Sequence, residues 1–260
     1  MKETAKISQG VIDLVAQALA AGRINLAFQP VVMARATRRV AFHEALVRVI
    51  DPSGRVVPAG FFIEAVEDLP LGRQLDAEAL RLGLLALQDA PDLRLSVNLS
   101  AKSLQDAGWW STLEAGLAGD PTLAERLVLE ITERAVMQSP IKSQDALAKL
   151  QTRGISIALD DFGAGQTAFR HLRDFRFDLV KIDGSFCRDI ATDPDNRALV
   201  TALVGLGAHF DMMIVAEHVA CGRDAAVLAG LGVDCLQGFH FGRPVLKTPN
   251  TDQDPARLLA

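Results

Sequence analysis

Two adjacent carboxylates, Asp160 and Asp161, directly follow the apolar run 155–159 and precede Phe162 and Gly163. A continuously apolar run of this length is typical of a strand that is covered on both faces. Two carboxylates at the end of such a strand repel each other, and a divalent metal ion between them is the usual way to offset that repulsion. The alternative is an Asp-Asp turn that faces water and binds nothing.

The same pattern recurs along the chain, where single polar residues stand in or at the end of other apolar runs. Oxygen ligands without imidazole or thiolate suit Mg²⁺ or Mn²⁺ rather than zinc. A carboxylate shared by two ions is the usual bridge of a two-metal hydrolase, so Asp160 is the candidate bridge. Besides the Asp pair, the recurring residues are Glu44, Asn98, Glu130, Lys181, Glu217 and Gln237.

These residues require a fold that gathers the ends of several strands. Strands alternate with helices over about 200 residues, which indicates parallel strands joined by helical crossovers. Roughly eight strands in one domain favour a closed barrel over a doubly wound sheet, and no G-x-G-x-x-G follows the first strand. We therefore predict an α/β fold, a modified TIM (β/α)8 barrel with an antiparallel strand at its start, because only a short turn separates the first two strands. The strand ends of such a barrel converge on the face where barrel enzymes have their active sites.

We predict that residues 1–250 form this one barrel domain and that residues 251–260 form a polar tail. The domain begins with an amphipathic helix at residues 7–21, in which Ile12, Val15 and Leu19 share one face. No apolar stretch approaches the roughly 18 residues that cross a bilayer, so we expect no membrane segment.

Composition narrows the classes of function. The net charge of −5 argues against a protein that binds duplex nucleic acid, since such proteins present a basic face. Cys187, Cys221 and Cys235 are scattered and form no C-x-x-C pair, so the sequence predicts neither a disulfide framework nor a zinc cluster. We therefore expect a cytoplasmic protein.

The polar residues belong to seven motifs, which are Glu44-Ala45-Leu46 with Arg48, Val97-Asn98-Leu99-Ser100, Leu129-Glu130-Ile131-Thr132-Glu133, Asp160-Asp161-Phe162-Gly163, Lys181-Ile182-Asp183, Ala216-Glu217 and Gln237-Gly238. In order and spacing they resemble the EAL domain, a family of cyclic-di-GMP phosphodiesterases with a modified TIM-barrel fold. The resemblance runs from about Phe28 to Pro244, which is nearly the whole chain.

The resemblance implies two metal ions, Mg²⁺ or Mn²⁺, and a ligand set for each. One ion would be bound by Glu44, Asn98, Glu130 and Asp160. The second would be bound or positioned by Asp160, Asp161 and Glu217.

The remaining matched positions would act on water, substrate and loop. Lys181 would orient or deprotonate the attacking water, and Gln237 would hold a water or ligand, so that both join Glu44, Asp161 and Glu217 in catalysis. Glu133 would anchor the loop 162–169, which in this family links the metal site to dimerisation. Contacts to the substrate would come from Gln29, Leu46, Arg48 and Asp183.

The implied function is metal-dependent hydrolysis of one 3′–5′ linkage of cyclic-di-GMP, giving linear pGpG. One alternative is a degenerate domain that binds cyclic-di-GMP without cleaving it, and another is a two-metal hydrolase for a different phosphodiester. Degenerate members generally lose a metal ligand or the lysine, and this chain retains both, which favours the enzyme. We also expect a homodimer, and the family often carries attached sensory or GGDEF domains, so the chain could be part of a longer protein.

Several positions depart from the family pattern. Val49 stands where Trp is common, His218 stands where Gly is usual, and the loop after Asp161 also differs. None of these changes removes a metal ligand, so we expect them to affect rate and regulation. His43 and His218 flank proposed ligands, but adjacent residues of a strand point to opposite faces, so we expect neither to be a ligand.

Overall fold

The computed structural model describes residues 2–138, 140–163 and 175–249. Most of the loop 162–169 and the predicted tail 251–260 therefore lie outside the described residues.

Nine strands of the described residues form one sheet, and eight of them close into a barrel. The strands are β1 (Ile24–Met33), β2 (Ala36–Ile50), β3 (Val56–Pro58), β4 (Leu95–Asn98), β5 (Leu127–Thr132), β6 (Ser156–Phe162), β7 (Leu179–Ile182), β8 (Met213–Ala216) and β9 (Cys235–Gln237). Their order is β1-β9-β8-β7-β6-β5-β4-β2, and pairing of β1 with β2 closes the ring. The short strand β3 pairs only with β2, outside the ring.

The first strand runs against all its neighbours. β1 is antiparallel to both β2 and β9, whereas β2 and β4 to β9 are parallel to one another. Only Ala34 and Arg35 separate β1 from β2, and so short a connection can join only antiparallel strands. The prediction of a modified TIM barrel with an antiparallel opening strand is confirmed.

Helices of the described residues cover the outside of the barrel. They are α1 (Lys2–Ala20), α2 (Ile63–Val66), α3 (Pro70–Asp89), α4 (Ala107–Leu117), α5 (Glu133–Gln138), α6 (Pro140–Gln151), α7 (Gly184–Cys187), α8 (Pro194–His209) and α9 (Gly222–Leu231). The predicted N-terminal helix is present as α1, and its Val15 and Ala18 pack against Val49, Phe62 and Leu75. No described helix combines the length and the apolar character that crossing a membrane requires.

A separate apolar cluster fills the barrel interior. It is made of one buried side chain from each of seven barrel strands, so it forms a layer across the barrel. Because side chains alternate along a strand, the residues two positions away on each strand also face the barrel axis. The layer consists of Val31, Phe42, Val128, Ala158, Leu179, Val215 and Cys235.

Candidate active site

The predicted site residues form the next layer of the interior, at the carboxyl end of the parallel strands. Each lies two residues from a member of the apolar layer, or two residues from the buried Ser96 in the case of Asn98 on β4, so the period of two directs them inward. They are Glu44 on β2, Asn98 on β4, Glu130 on β5, Asp160 on β6, Lys181 on β7, Glu217 just after β8 and Gln237 on β9.

Lys181 is the centre of this layer. Its side chain is 1% exposed, and its Nζ lies 2.7 Å from Glu217 Oε1 and 2.8 Å from Glu130 Oε2. Asp160 Oδ1 at 3.2 Å and Glu44 Oε2 at 3.5 Å complete its surroundings. One positive charge therefore stands among four carboxylates, and the cluster is strongly negative when all four are ionised.

Two amides and the lysine hold Glu44. Gln237 Nε2 donates to Glu44 Oε2 at 2.6 Å, and Asn98 Nδ2 donates to Glu44 Oε1 at 3.1 Å. Burial alone would raise the pKa of Glu44, but the charge of Lys181 and these hydrogen bonds hold it below its ordinary value. Glu44 is therefore ionised, with both of its oxygens oriented.

The pKa values of three other carboxylates, those of Glu130, Glu217 and Asp161, are shifted in the opposite direction. Burial, reinforced by Glu44, raises the pKa of Glu130 well above its ordinary value. Burial raises the pKa of Glu217 to about 8, and burial with the charge of Asp160 raises the pKa of Asp161. Burial alone would lower the pKa of Lys181, but the surrounding carboxylates raise it well above its ordinary value. Lys181 is thus a protonated hydrogen-bond donor, and its single positive charge does not neutralise all the carboxylates around it.

A β-bulge lets two neighbouring carboxylates reach the same site. The register of β6 with β7 shifts between Leu159 and Phe162, and Asp161 has a φ of 55°. Alternation would send one of two adjacent side chains to each face, and a bulge with a left-handed residue re-aims one of them. As a result, oxygen atoms of Asp160, Asp161 and Glu217 lie within 4.8 Å of one another.

The chemistry of these donors fits a divalent metal ion. Within the described part of the chain, the buried atoms Glu130 Oε1 and Asp160 Oδ1 accept no hydrogen bond, although Lys181 Nζ is 3.2 Å from the latter. Buried carboxylate oxygens without donors are costly, and they are the ligands that Mg²⁺ and Mn²⁺ prefer. Ion pairs with Lys181 connect Glu44 and Glu130 to the group of Asp160, Asp161 and Glu217. A hydrogen bond to Glu44 connects Asn98 to the same group.

The sequence profile described as the EAL domain matches residues 13–244. The chain belongs to the EAL domain family. Among curated proteins, it is 30% identical over 248 residues to the cyclic di-GMP phosphodiesterase PdeB of Shewanella oneidensis, covering 94% of this chain and 29% of that protein. The chain spans about a third of the length of the curated relatives it matches.

Solved structures of EAL domains share this fold. The PaMucR phosphodiesterase in its c-di-GMP complex has a TM-score of 0.79 at 31% identity, and the match covers 91% of this chain and 97% of that one. The FimX EAL domain from Pseudomonas aeruginosa, bound to c-di-GMP, has a TM-score of 0.84 at 25% identity and covers 94% and 99%.

Three of the predicted substrate residues of this EAL domain lie around the carboxylates. Leu46 and Arg48 lie two and four residues beyond Glu44 on β2, hence on the same face of the strand, and both are half-buried. Gln29 is buried on β1, where it pairs with Glu44, and its Nε2 donates to the Gly242 carbonyl at 3.2 Å. Their contact with a substrate remains a prediction.

Asp183 and Glu133 have structural positions besides their predicted roles. Asp183 caps the N-terminus of α7, and its Oδ1 accepts from the backbone N–H of Ser185 at 2.9 Å. Glu133 is buried at the start of α5. The loop that Glu133 was predicted to anchor lies largely outside the described residues, so that role remains a prediction.

His43 and His218, both expected from strand alternation to point away from the site, differ in their backbone positions. His43 lies within β2 and pairs with Pro30 of β1, and alternation along β2 does turn it away from Glu44. His218 lies beyond the end of β8 with a φ of 55°, so strand alternation does not apply to it. Its imidazole packs on Gly184. The family usually has Gly at the position of His218, and this preference was the sequence signal that the backbone there is left-handed.

Proposed function

We propose that this EAL domain hydrolyses cyclic-di-GMP to linear pGpG in a reaction that depends on two divalent metal ions. The observation that carries the proposal is the cluster of buried carboxylates around one lysine, in which oxygen atoms of Asp160 and Glu217 and of the exposed Asp161 lie within 4.8 Å of one another. Such a cluster is costly to bury without cations, and two-metal sites of this kind serve phosphodiester hydrolysis.

Residues of this chain would position the reactants. Two ions, Mg²⁺ or Mn²⁺, would lower the pKa of a bound water molecule and neutralise charge on the phosphate. Lys181, fixed by four carboxylates, would donate a hydrogen bond to the attacking water and hold it in line. Water adds to phosphorus, the bond to the 3′ oxygen breaks, and the leaving oxygen takes a proton, which leaves a 5′-phosphate and a 3′-hydroxyl.

The substrate assignment draws on relatives and on the rim of the site. PdeB is named a cyclic di-GMP phosphodiesterase, and MucR and FimX EAL domains were solved with c-di-GMP. In this chain, Arg48 extends beyond Glu44 on the long strand β2, where its guanidinium would meet a substrate phosphate.

The test is turnover of cyclic-di-GMP with Mg²⁺ or Mn²⁺, followed by chromatography of the linear product. We expect pGpG from the wild-type chain and at least about a 100-fold loss in Glu44→Gln, because removal of a ligand should cost no less than loss of a residue that only supports one. The matched control is Glu125→Gln, an exposed carboxylate before β5. Both variants should keep a cooperative thermal transition.

A second candidate is binding without cleavage, favoured by the likeness to the FimX EAL domain bound to c-di-GMP. Intact dinucleotide after incubation, together with saturable binding by calorimetry, would establish this receptor and refute the enzyme. Cleavage of unrelated phosphodiesters at the same rate would instead identify a hydrolase of broader substrate range.

The remaining expectations are part of the same proposal. We propose a homodimer in which Glu133 anchors the loop 162–169, so that Glu133→Gln lowers turnover although it lies outside the metal ligands. Unchanged turnover in that variant would remove the proposed link between loop and site. Sedimentation analysis measures the dimer independently.

A further inference from the structure

Three sulfur atoms meet at the end of the barrel opposite the carboxylates. Cys235, the first residue of β9, belongs to the apolar layer, while Met33 ends the antiparallel β1 and Met213 begins β8. Met33 lies two residues from Val31 and Met213 two residues from Val215, so both face inward one layer below. Cys235 Sγ is 3.9 Å from Met33 Sδ and 3.7 Å from Met213 Sδ.

These separations suit ligands of a single ion. Sulfur ligands bind metals at about 2.3 Å, and three or four ligands at that distance around one centre lie about 3.8 to 4.0 Å apart. The same distances also occur in ordinary sulfur packing, so spacing alone does not assign a metal. What distinguishes the cluster is its composition, since one thiol and two thioethers converge from three separate strands.

The donor set selects the kind of metal. Thioether and thiolate ligands select soft ions such as Cu(I), whereas zinc requires thiolate, imidazole or carboxylate partners. Among the described residues, the only convergent group of three or more His, Cys, Asp or Glu side chains is Asp160, Asp161 and Glu217, at the other end. Cys235 therefore lacks the neighbours of a zinc site in the described chain and has those of a copper(I) site.

Access and support come from the ends of the strands. Met213 is 38% exposed and Cys235 is fully buried, so the side chain of Met213, whose sulfur contacts the thiol, extends from the buried thiol to the protein surface. The backbone around them is fixed, because Asp234 accepts a hydrogen bond from the Ile214 N–H at 2.8 Å and β9 pairs with both β1 and β8. The backbone that carries Cys235, Met33 and Met213 is therefore fixed before any ion binds.

We propose that Cys235, Met33 and Met213 form a binding site for one soft monovalent metal ion, Cu(I), at the amino-terminal end of the parallel strands. On binding, the Cys235 S–H bond breaks, its proton passes to water and a sulfur–copper bond forms. The two thioethers coordinate without losing a proton, and copper keeps its oxidation state. This site is independent of the proposed function and of the hard-ion site at the opposite end.

The test is titration of the full chain with Cu(I), kept reduced with ascorbate, in competition with a coloured Cu(I) chelator. We expect one equivalent to bind, and X-ray absorption at the copper edge to show sulfur ligands only. Binding should raise the thermal transition temperature, since an ion that binds the folded state stabilises it.

Isosteric variants locate the site. Met33→Leu and Met213→Leu should each weaken binding by roughly 10-fold or more, at least the lower end of the loss that follows removal of a residue supporting a ligand. Cys235→Ser should abolish it. The matched controls are Met212→Leu, at the buried neighbour of Met213, and Cys221→Ser, at the exposed thiol, and both should bind copper as the wild type does.

Three results would overturn the proposal: no binding that competes with the chelator, binding lost in Cys221→Ser, or binding unaffected by both methionine variants. If Cys235→Ser fails to fold, the methionine variants decide, because leucine matches methionine closely in volume and preserves packing.

Discussion

Two layers of the same barrel interior lie only two residues apart on each strand and have opposite character. Leu179 and Val215 of the apolar layer are buried against other apolar side chains. Lys181 and Glu217, two residues further along the chain, are buried among charged groups. The strands that support both layers are the same. Strand alternation directs a side chain inward whatever the free-energy cost of burying it. The apolar layer must therefore contribute the stability that burial of the charged layer costs.

Two residues beside the charged layer have a strained backbone conformation. Asp161 and His218 flank the site and both have a φ of 55°, a left-handed conformation that costs a non-glycine residue about 1 kcal/mol or more. Such strain persists where surrounding structure imposes it, and it collects at functional sites. Here the bulge at Asp161 is what brings a third oxygen donor to Asp160 and Glu217.

Lys181→Met is expected to have the largest effect in the charged layer. Removing the lysine leaves buried carboxylates without their cation, which costs about 3–5 kcal/mol of unfolding free energy at neutral pH. Urea denaturation measures the loss, and excess Mg²⁺ or a lower pH should restore part of it by supplying charge or protons. Lys149→Met, on the exposed face of α6, is the matched control and should change little. Equal stability of both variants would contradict the central role of Lys181.

Leu179→Ala tests the apolar layer by the same urea denaturation. Truncating this buried leucine leaves a cavity, and such changes cost about 2–5 kcal/mol. In contrast to Lys181→Met, the loss should be independent of Mg²⁺ and of pH, because it involves no charge. Leu199→Ala, at a leucine that is 48% exposed on α8, is the control. A Leu179→Ala deficit that Mg²⁺ reverses would show that the two layers are not separable.

The pH dependence of stability should reveal the charged layer directly. The pKa of Glu217 is about 8 in the folded chain against an ordinary 4.5, so between these values the folded state keeps a proton that the unfolded chain has released. Stability of the metal-free protein should therefore fall as pH rises through this window, by up to about 1.4 kcal/mol per pH unit. Glu44 acts oppositely, since its lowered pKa adds stability that is lost only on acidification below its ordinary value.

Thermal transitions measured across this pH range, with EDTA and with excess Mg²⁺, provide the check. Mg²⁺ competes with the protons, so it should flatten the slope and stabilise more strongly at higher pH. Glu217→Gln should flatten the slope without metal. A metal-free stability that rises from pH 5 to pH 8 would mean that Glu217 is ionised in the folded state.

The sequence predicted the barrel, its antiparallel opening and the gathering of Glu44, Glu130, Asp160 and Lys181, because strand alternation and the two-residue turn at 34–35 are local properties. It did not predict the bulge at Asp161, since a register shift depends on the pairing of β6 with β7. Nor did it place His218, because the end of β8 had to be known before alternation could be applied or set aside.

The smallest expected effect concerns the contact of His218 with Gly184. A Cβ added at Gly184 would lie 2.6 Å from His218 Cβ and against the imidazole ring, so Gly184→Ala should destabilise the folded chain. In the His218→Gly background the obstruction is absent, and the same change should cost much less. Denaturation of the four chains should give an interaction energy of about 1–2 kcal/mol, within the range for residues in contact. Additive effects would mean that Gly184 is required for another reason, and that the left-handed His218 is accommodated without it.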